Sequence, residues 1–146
     1  MTLENLLKIR QLASITPSRA DILRLLQAAG RNLDDSRVTA ISTENRFDAA
    51  YKCVMQSALA ALHASGYRTS TSVPGHHQTL IQTLPLTVGA DPRQVVLLDR
   101  LRKQRNVADY SGDPISSTTL ASCVQAAEAL LRQVKEWLQQ HHPELL

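Results

Sequence analysis

Four cations fall within six residues, Arg100, Arg102, Lys103 and Arg105, and Asn106, Asp109 and Tyr110 follow directly. Guanidinium groups grip phosphate oxygens through paired hydrogen bonds, and an amide or phenol beside them can hold a sugar or a leaving oxygen. The run therefore suits recognition of a phosphodiester or a nucleotide. It equally suits a solvated helix face whose cations lie near the helix C-terminus. On that reading Arg105 and Asp109 are an ordinary i,i+4 pair, worth about 0.2–0.5 kcal/mol. Spacing alone leaves both readings open.

Other chemistry is thinly represented. The chain has no glycine-rich phosphate loop, no GxSxG elbow, no HExxH and no CxxC. Its histidines are His63, the pair His76-His77 and the pair His141-His142. Adjacent histidines on a helix point about 100° apart, so neither pair reads as a ready metal site. No metal and no cofactor is expected. Cys53 and Cys123 each fall inside an apolar helical pattern and read as reduced core thiols of a cytoplasmic protein.

The cations sit on a helix that opens at Asp91-Pro92, an N-cap followed by proline at the first helical position. It runs to about Tyr110 and stops at Ser111-Gly112-Asp113-Pro114. At about 100° per residue, Leu97, Leu98, Leu101 and Ala108 share one side. Asp99, Arg102, Lys103, Asn106, Asp109 and Tyr110 gather into a polar arc of about 120°. Arg105 falls on the seam between the two.

Further helices are read from apolar residues at three- and four-residue steps. One opens after Ser18 with Ile22, Leu25, Leu26, Ala29 and Leu33, and Asp34 to Thr43 then reads as a connection. A second spans Glu44 to Ser65, with Phe47, Ala50, Tyr51, Val54, Ala58, Ala61 and Leu62, and Gly66 ends it. A shorter helix covers about His76 to Leu84, and a long closing one runs from Ser116 or Ser117 to about Gln140. Tyr67 to Gly75 reads as the most loop-like segment. Leu3, Leu6, Leu7 and Leu12 suggest a short opening helix that ends before Thr16-Pro17. Residues 1–15 thus form part of the bundle or an N-terminal helical extension of it.

At 146 residues the chain is one domain, spanning residues 1–146, long enough to bury a core without metal or disulfide staples. Sixteen basic against thirteen acidic side chains make it mildly basic, far from a DNA-packaging profile. Only 3 % of residues are aromatic and 43 % are hydrophobic, which argues against an all-β sandwich and against disorder. No apolar stretch is long enough for a membrane span, and Glu4, Lys8 and Arg10 are wrong for a signal peptide. The expected fold is all-α, an up-and-down bundle of four to five main helices.

The segment LLDRLRKQRNVADYSGD, Leu97 to Asp113, resembles the HEPN family of small α-helical bundle proteins. TENRFDAAYKCVMQSALAAL, Thr43 to Leu62, is similar to that family's second core helix through its Arg and the Ala50-Tyr51 pair. The resemblance covers roughly Ser18 to Gln140. It implies a homodimer in which two motif copies face each other, acting on or binding RNA or a nucleotide. It also implies a setting with an antitoxin or a small nucleotidyltransferase. Arg105 matches the motif arginine and Asn106 the polar residue after it, while Tyr110 stands where the motif has histidine.

A histidine near pKa 6.5 exchanges protons at neutral pH, whereas an ordinary tyrosine near 10 does not. The implied site is therefore Arg105, Asn106 and Tyr110, with Arg102, Lys103, Arg105 and Asp109 binding RNA or nucleotide, and little or no ribonuclease activity. The alternatives are a metal-independent endoribonuclease toxin and a helical protein-interaction module.

Overall fold

A computed structural model describes residues 1–146. Helix accounts for about 72 % of them and strand for 4 %, so the chain is an all-α helical bundle. In chain order the elements are α1 (Leu3–Lys8), β1 (Leu12–Ser14), α2 (Arg19–Ser36), α3 (Thr43–Ala64) and β2 (Tyr67–Thr69). There follow α4 (His76–Gln82), α5 (Leu84–Thr87), α6 (Pro92–Ser111), α7 (Ser117–His141) and a final 3-10 turn, Pro143–Leu145. No helix is long and apolar enough to cross a membrane.

Local chemistry sets the helix starts. The side chains of Ser18, Ser42, Asp91 and Ser116 each accept a hydrogen bond from the main-chain N–H three residues on, satisfying a donor that a helix start would otherwise leave unpaired. Pro92 occupies the first turn of α6 behind the Asp91 cap, and Gly112, at φ 72, ends that helix in a left-handed turn. α2 continues to Ser36, two residues beyond the point where the sequence pattern turns polar.

α3 is the central helix, with α2 and α7 packed against it. It can take neighbours on several sides because many of its buried positions are small: Ala50, Cys53, Ser57, Ala58, Ala60 and Ala61 are all fully covered. Small contact residues let helix axes come close. Ser57 returns its hydroxyl hydrogen to the Cys53 carbonyl at 2.7 Å, so the one polar side chain in that run is satisfied. The two thiols are buried and unpaired. Burial pushes Cys53 up to about 11 and Cys123 up to about 12, which leaves both as inert thiols.

The short helix read over about His76 to Leu84 divides at Thr83 into α4 and α5, and two further segments differ in kind from the sequence expectation. The opening helix stops at Lys8; Arg10 adopts a left-handed conformation at φ 64, and Leu12–Ser14 becomes a strand. Its partner is Tyr67–Thr69, the start of the stretch read as loop, paired antiparallel with Leu12 opposite Thr69. Leu6 and Leu12 bury against the core, so this N-terminal arm belongs to the bundle. Strand pairing between segments so far apart leaves no periodic mark on either of them.

Candidate functional site

Down its inner face α6 carries Leu98, Leu101, Arg105 and Ala108, at the three- and four-residue steps of a buried stripe. Where the rhythm calls for another aliphatic side chain, the sequence supplies an arginine. Arg105 turns inward. Its guanidinium carbon lies 4.9 Å from the centre of the Tyr51 ring on α3, within cation–π range. Its Nε donates to Asp48 Oδ1 at 3.3 Å, and an Asp109 oxygen lies 3.8 Å from its Nη2. Only 25 % of the Arg105 side chain remains exposed.

Arg102 faces the same region from one turn earlier and is more deeply set. Its Nε donates to Asp99 Oδ1 at 2.8 Å, while the exposed Lys103 ammonium stands 3.4 Å from Asp99 Oδ2. Burial works to raise the Asp99 carboxyl, but Arg102 and Lys103 outweigh it and hold the group below the usual carboxylate range. Both arginines are thus held in fixed positions by aspartates.

Tyr51 is the floor of the cluster and is 2 % exposed. Burial, opposed by the charges of Arg105 and Arg102, pushes its phenol up to about 12, so it carries its proton at neutral pH. The hydroxyl meets Nδ1 of His77 at 3.3 Å. His77, from α4, packs its ring 5.8 Å from the Tyr51 centroid and 4.6 Å from that of His76. Burial, then the neighbouring His76, Arg105 and Arg102, holds the His77 imidazole below its ordinary value, which keeps it neutral at pH 7.

The fold therefore gathers some of the residues singled out in the sequence and separates others. Arg102, Arg105 and Asp109 share the cluster, and Lys103 stands at its rim through Asp99. Asn106 is exposed, and Tyr110, 93 % exposed, stands in solvent on the outer side of α6. Asp48, Tyr51 and His77 join from α3 and α4. Tyr51 had a sequence signal, as half of the Ala50-Tyr51 pair. Sequence proximity offers Arg105 no histidine, whereas the packing of α4 against α3 and α6 brings one to Tyr51.

Between α4 and α6 a groove of about 390 Å³ runs past Ile81, Gln82, Val95, Val96, Asp99, Arg100 and Lys103. Its size lies at the lower end of small-molecule sites. A smaller recess beside α3 is walled by Asp48, Arg105 and Asp109, and the acidic Glu44 and Asp113 line it too. No group of three or more His, Cys, Asp or Glu side chains converges as metal ligands would.

Comparison with models of protein families, with curated proteins and with solved structures finds no match to this chain.

Proposed function

We propose that the chain is a HEPN-like module that acts as a homodimer and binds RNA or a nucleotide, taking phosphate at Arg102 and Arg105. The observation that carries this reading is Arg105 itself. A bundle gains little from a cation on this partly buried stripe, since a well-packed aliphatic residue is often as stable as a buried ion pair or more so. Here the arginine is kept, stacked on Tyr51 and oriented by Asp48. Its aspartate partners are half-exposed, and pairs in such settings contribute about 0–1 kcal/mol. A phosphate that takes over the same donors in a bidentate contact can displace them.

The outer side of α6 supports the dimer. Val96, Val107 and Tyr110 are large exposed apolar or aromatic side chains on one helix. A second α6 laid against them would bury these side chains, with each arginine cluster on the inner side of its own helix. The same resemblance suggests an antitoxin or a small nucleotidyltransferase as a further partner. The two unpaired buried thiols suit the reducing cytoplasm.

The test is binding of a short single-stranded RNA and of a mononucleotide, followed across salt concentration. Affinity should fall as salt rises, because neutralised phosphates release condensed counterions. Arg105→Ala should weaken binding at least about tenfold, as loss of a charge-assisted contact does. The control Arg31→Ala, on the exposed side of α2, should have little effect. Equal losses in both variants would leave only non-specific attraction and refute the reading.

A further inference from the structure

We propose that the trough between α2 and α7 is a docking site for a partner protein, which enters it as an amphipathic helix with acidic flanks. The trough shares no residue with the arginine cluster on α6, and the inference does not depend on what that cluster binds. Three observations carry it.

The first is shape. α2 and α7 both rest on α3 and meet each other over a short stretch only. Their ends are tied. Arg19 Nε donates to the Leu146 main-chain oxygen at 2.8 Å, and Arg37 pairs with Glu128 at 2.8 Å. The two helices therefore run antiparallel, and between the ties lies a cavity of about 730 Å³. Its α2 wall extends from Leu23 to Asp34, roughly 16 Å at 1.5 Å per residue, or three turns of helix. Gln27, Arg31, Lys135 and Gln139 on its walls are exposed, so it is open along its length. An open trough of three turns fits a helix laid into a groove. A small molecule would call for closer enclosure.

The second is Gly30. It stands inside α2, where glycine is less stable than alanine. Its backbone is not left-handed, and a Cβ at this position would meet no atom within 4 Å. Neither a turn nor a close neighbour within the chain calls for glycine here. The gap opens into the trough, where it lets a second backbone approach α2 closely.

The third is charge. Arg31 and Lys135 line the trough from opposite walls, and neither takes part in an ion pair. Arg132, exposed and also unpaired, lies on the same row of α7 between Glu128 and Lys135. Glu128 is taken by Arg37, which leaves Asp34 as the one carboxylate among the lining residues. The free charge is positive and calls for an acidic occupant. Nucleic acid fits less well, since no aromatic side chain lines the trough to stack a base. Leu23 and Leu26 instead offer an apolar floor to an aliphatic stripe.

The experiment selects a display library of helical peptides on the full chain, with a fixed leucine stripe and randomised polar positions. Enriched sequences are then made as free peptides and titrated. Asp and Glu should dominate beside the stripe. Gly30→Leu, which fills the trough, should weaken these peptides at least about tenfold while melting no lower than wild type. Gly30→Ala should raise the unfolding midpoint by about 2–4 °C. A chain carrying Arg31→Glu and Lys135→Glu should select basic peptides instead. Arg105→Ala should bind the peptides as wild type does, so the RNA reading and this one stand or fall separately.

Enrichment no greater than on Gly30→Leu overturns the proposal, as do enriched peptides without an acidic bias. A lower midpoint in Gly30→Ala would show that the fold itself needs the glycine, and overturns it too. Displacement of the peptides by single-stranded RNA would make the trough a nucleic-acid surface. Self-association that is lost in Gly30→Leu would give it to a second copy of this chain. Either result replaces the acidic helix.

Discussion

α3 and α6 are of similar length and are built to opposite ends. α3 hides twelve of its twenty-two residues, half of them alanine or cysteine, and packs against α2 and α7. α6 hides only Leu98 and Leu101 of its twenty, and beyond them its inner face is given to Arg102 and Arg105. One helix holds the bundle together, and the other is held by it. Most of the buried packing thus lies on α3, while α6 brings its charged side chains to the Tyr51 floor that α3 supplies.

The widest gap between the two regions should come from the core around α3. Leu130 of α7 is fully buried there. Leu130→Ala should cost about 2–5 kcal/mol in urea unfolding, the range for a deleted core leucine. A loss near zero would mean that α3 and α7 are not the core the packing describes.

Arg105→Leu sharpens the contrast from the α6 side. It exchanges a partly buried ion pair for the aliphatic residue that the stripe calls for. Unfolding free energy should change by no more than about 1 kcal/mol in either direction, or should rise. RNA binding should be lost in the same variant. If stability collapses instead, Arg105 is a structural strut and the contrast between the helices fails.

Tyr110→Ala should leave the unfolding midpoint of the monomer unchanged, because the side chain touches almost nothing in one copy of the chain. Sedimentation at micromolar concentration should show a weaker dimer than wild type. An unchanged dimer would move the interface off that face of α6.

The smallest effect is one of pH. His77 in the folded chain binds its proton less readily than in the unfolded chain, so at mild acid the unfolded state holds more protons. The His77 contribution to stability is therefore complete above about pH 6.5 and is lost as pH falls below that value. His63, lowered by its own burial, adds in the same direction. Chemical unfolding at pH 7.5 and 5.5 should show a smaller drop for His77→Gln than for wild type.

The frame of the bundle was legible because caps are local. Ser18, Ser42, Asp91-Pro92 and Ser116 announce helix starts through hydrogen bonds that span only three residues. The site was half legible for the opposite reason. A helical wheel sorts residues by polarity, so it assigns Arg105 to a seam and Tyr110 to a functional arc. The fold sorts them by what lies opposite, and the Tyr51 ring lies opposite Arg105. His77 stood out only as half of a histidine pair, since its partner Tyr51 is twenty-six residues away on another helix. The strand pair was hidden likewise, with Leu12 and Thr69 brought together only by the path of the chain.

That strand pair has a mechanical consequence. The main-chain bonds from Ile15 to Gly66 and from Ser70 to Gln11 fasten the N-terminal arm across the exit of α3. From Ser70 the chain has only the short run to Gly75 before it enters α4 at His76 and His77. The arm is thus a clamp on one end of a short tether, and the histidines hang from the other end. Lengthening the tether with inserted glycines, or cutting away residues 1–16, would give His77 slack without altering any residue that touches it. The packing of α4 on α3 and α6 sets the imidazole against Tyr51, and the strand pair fixes where the tether that leads to it begins.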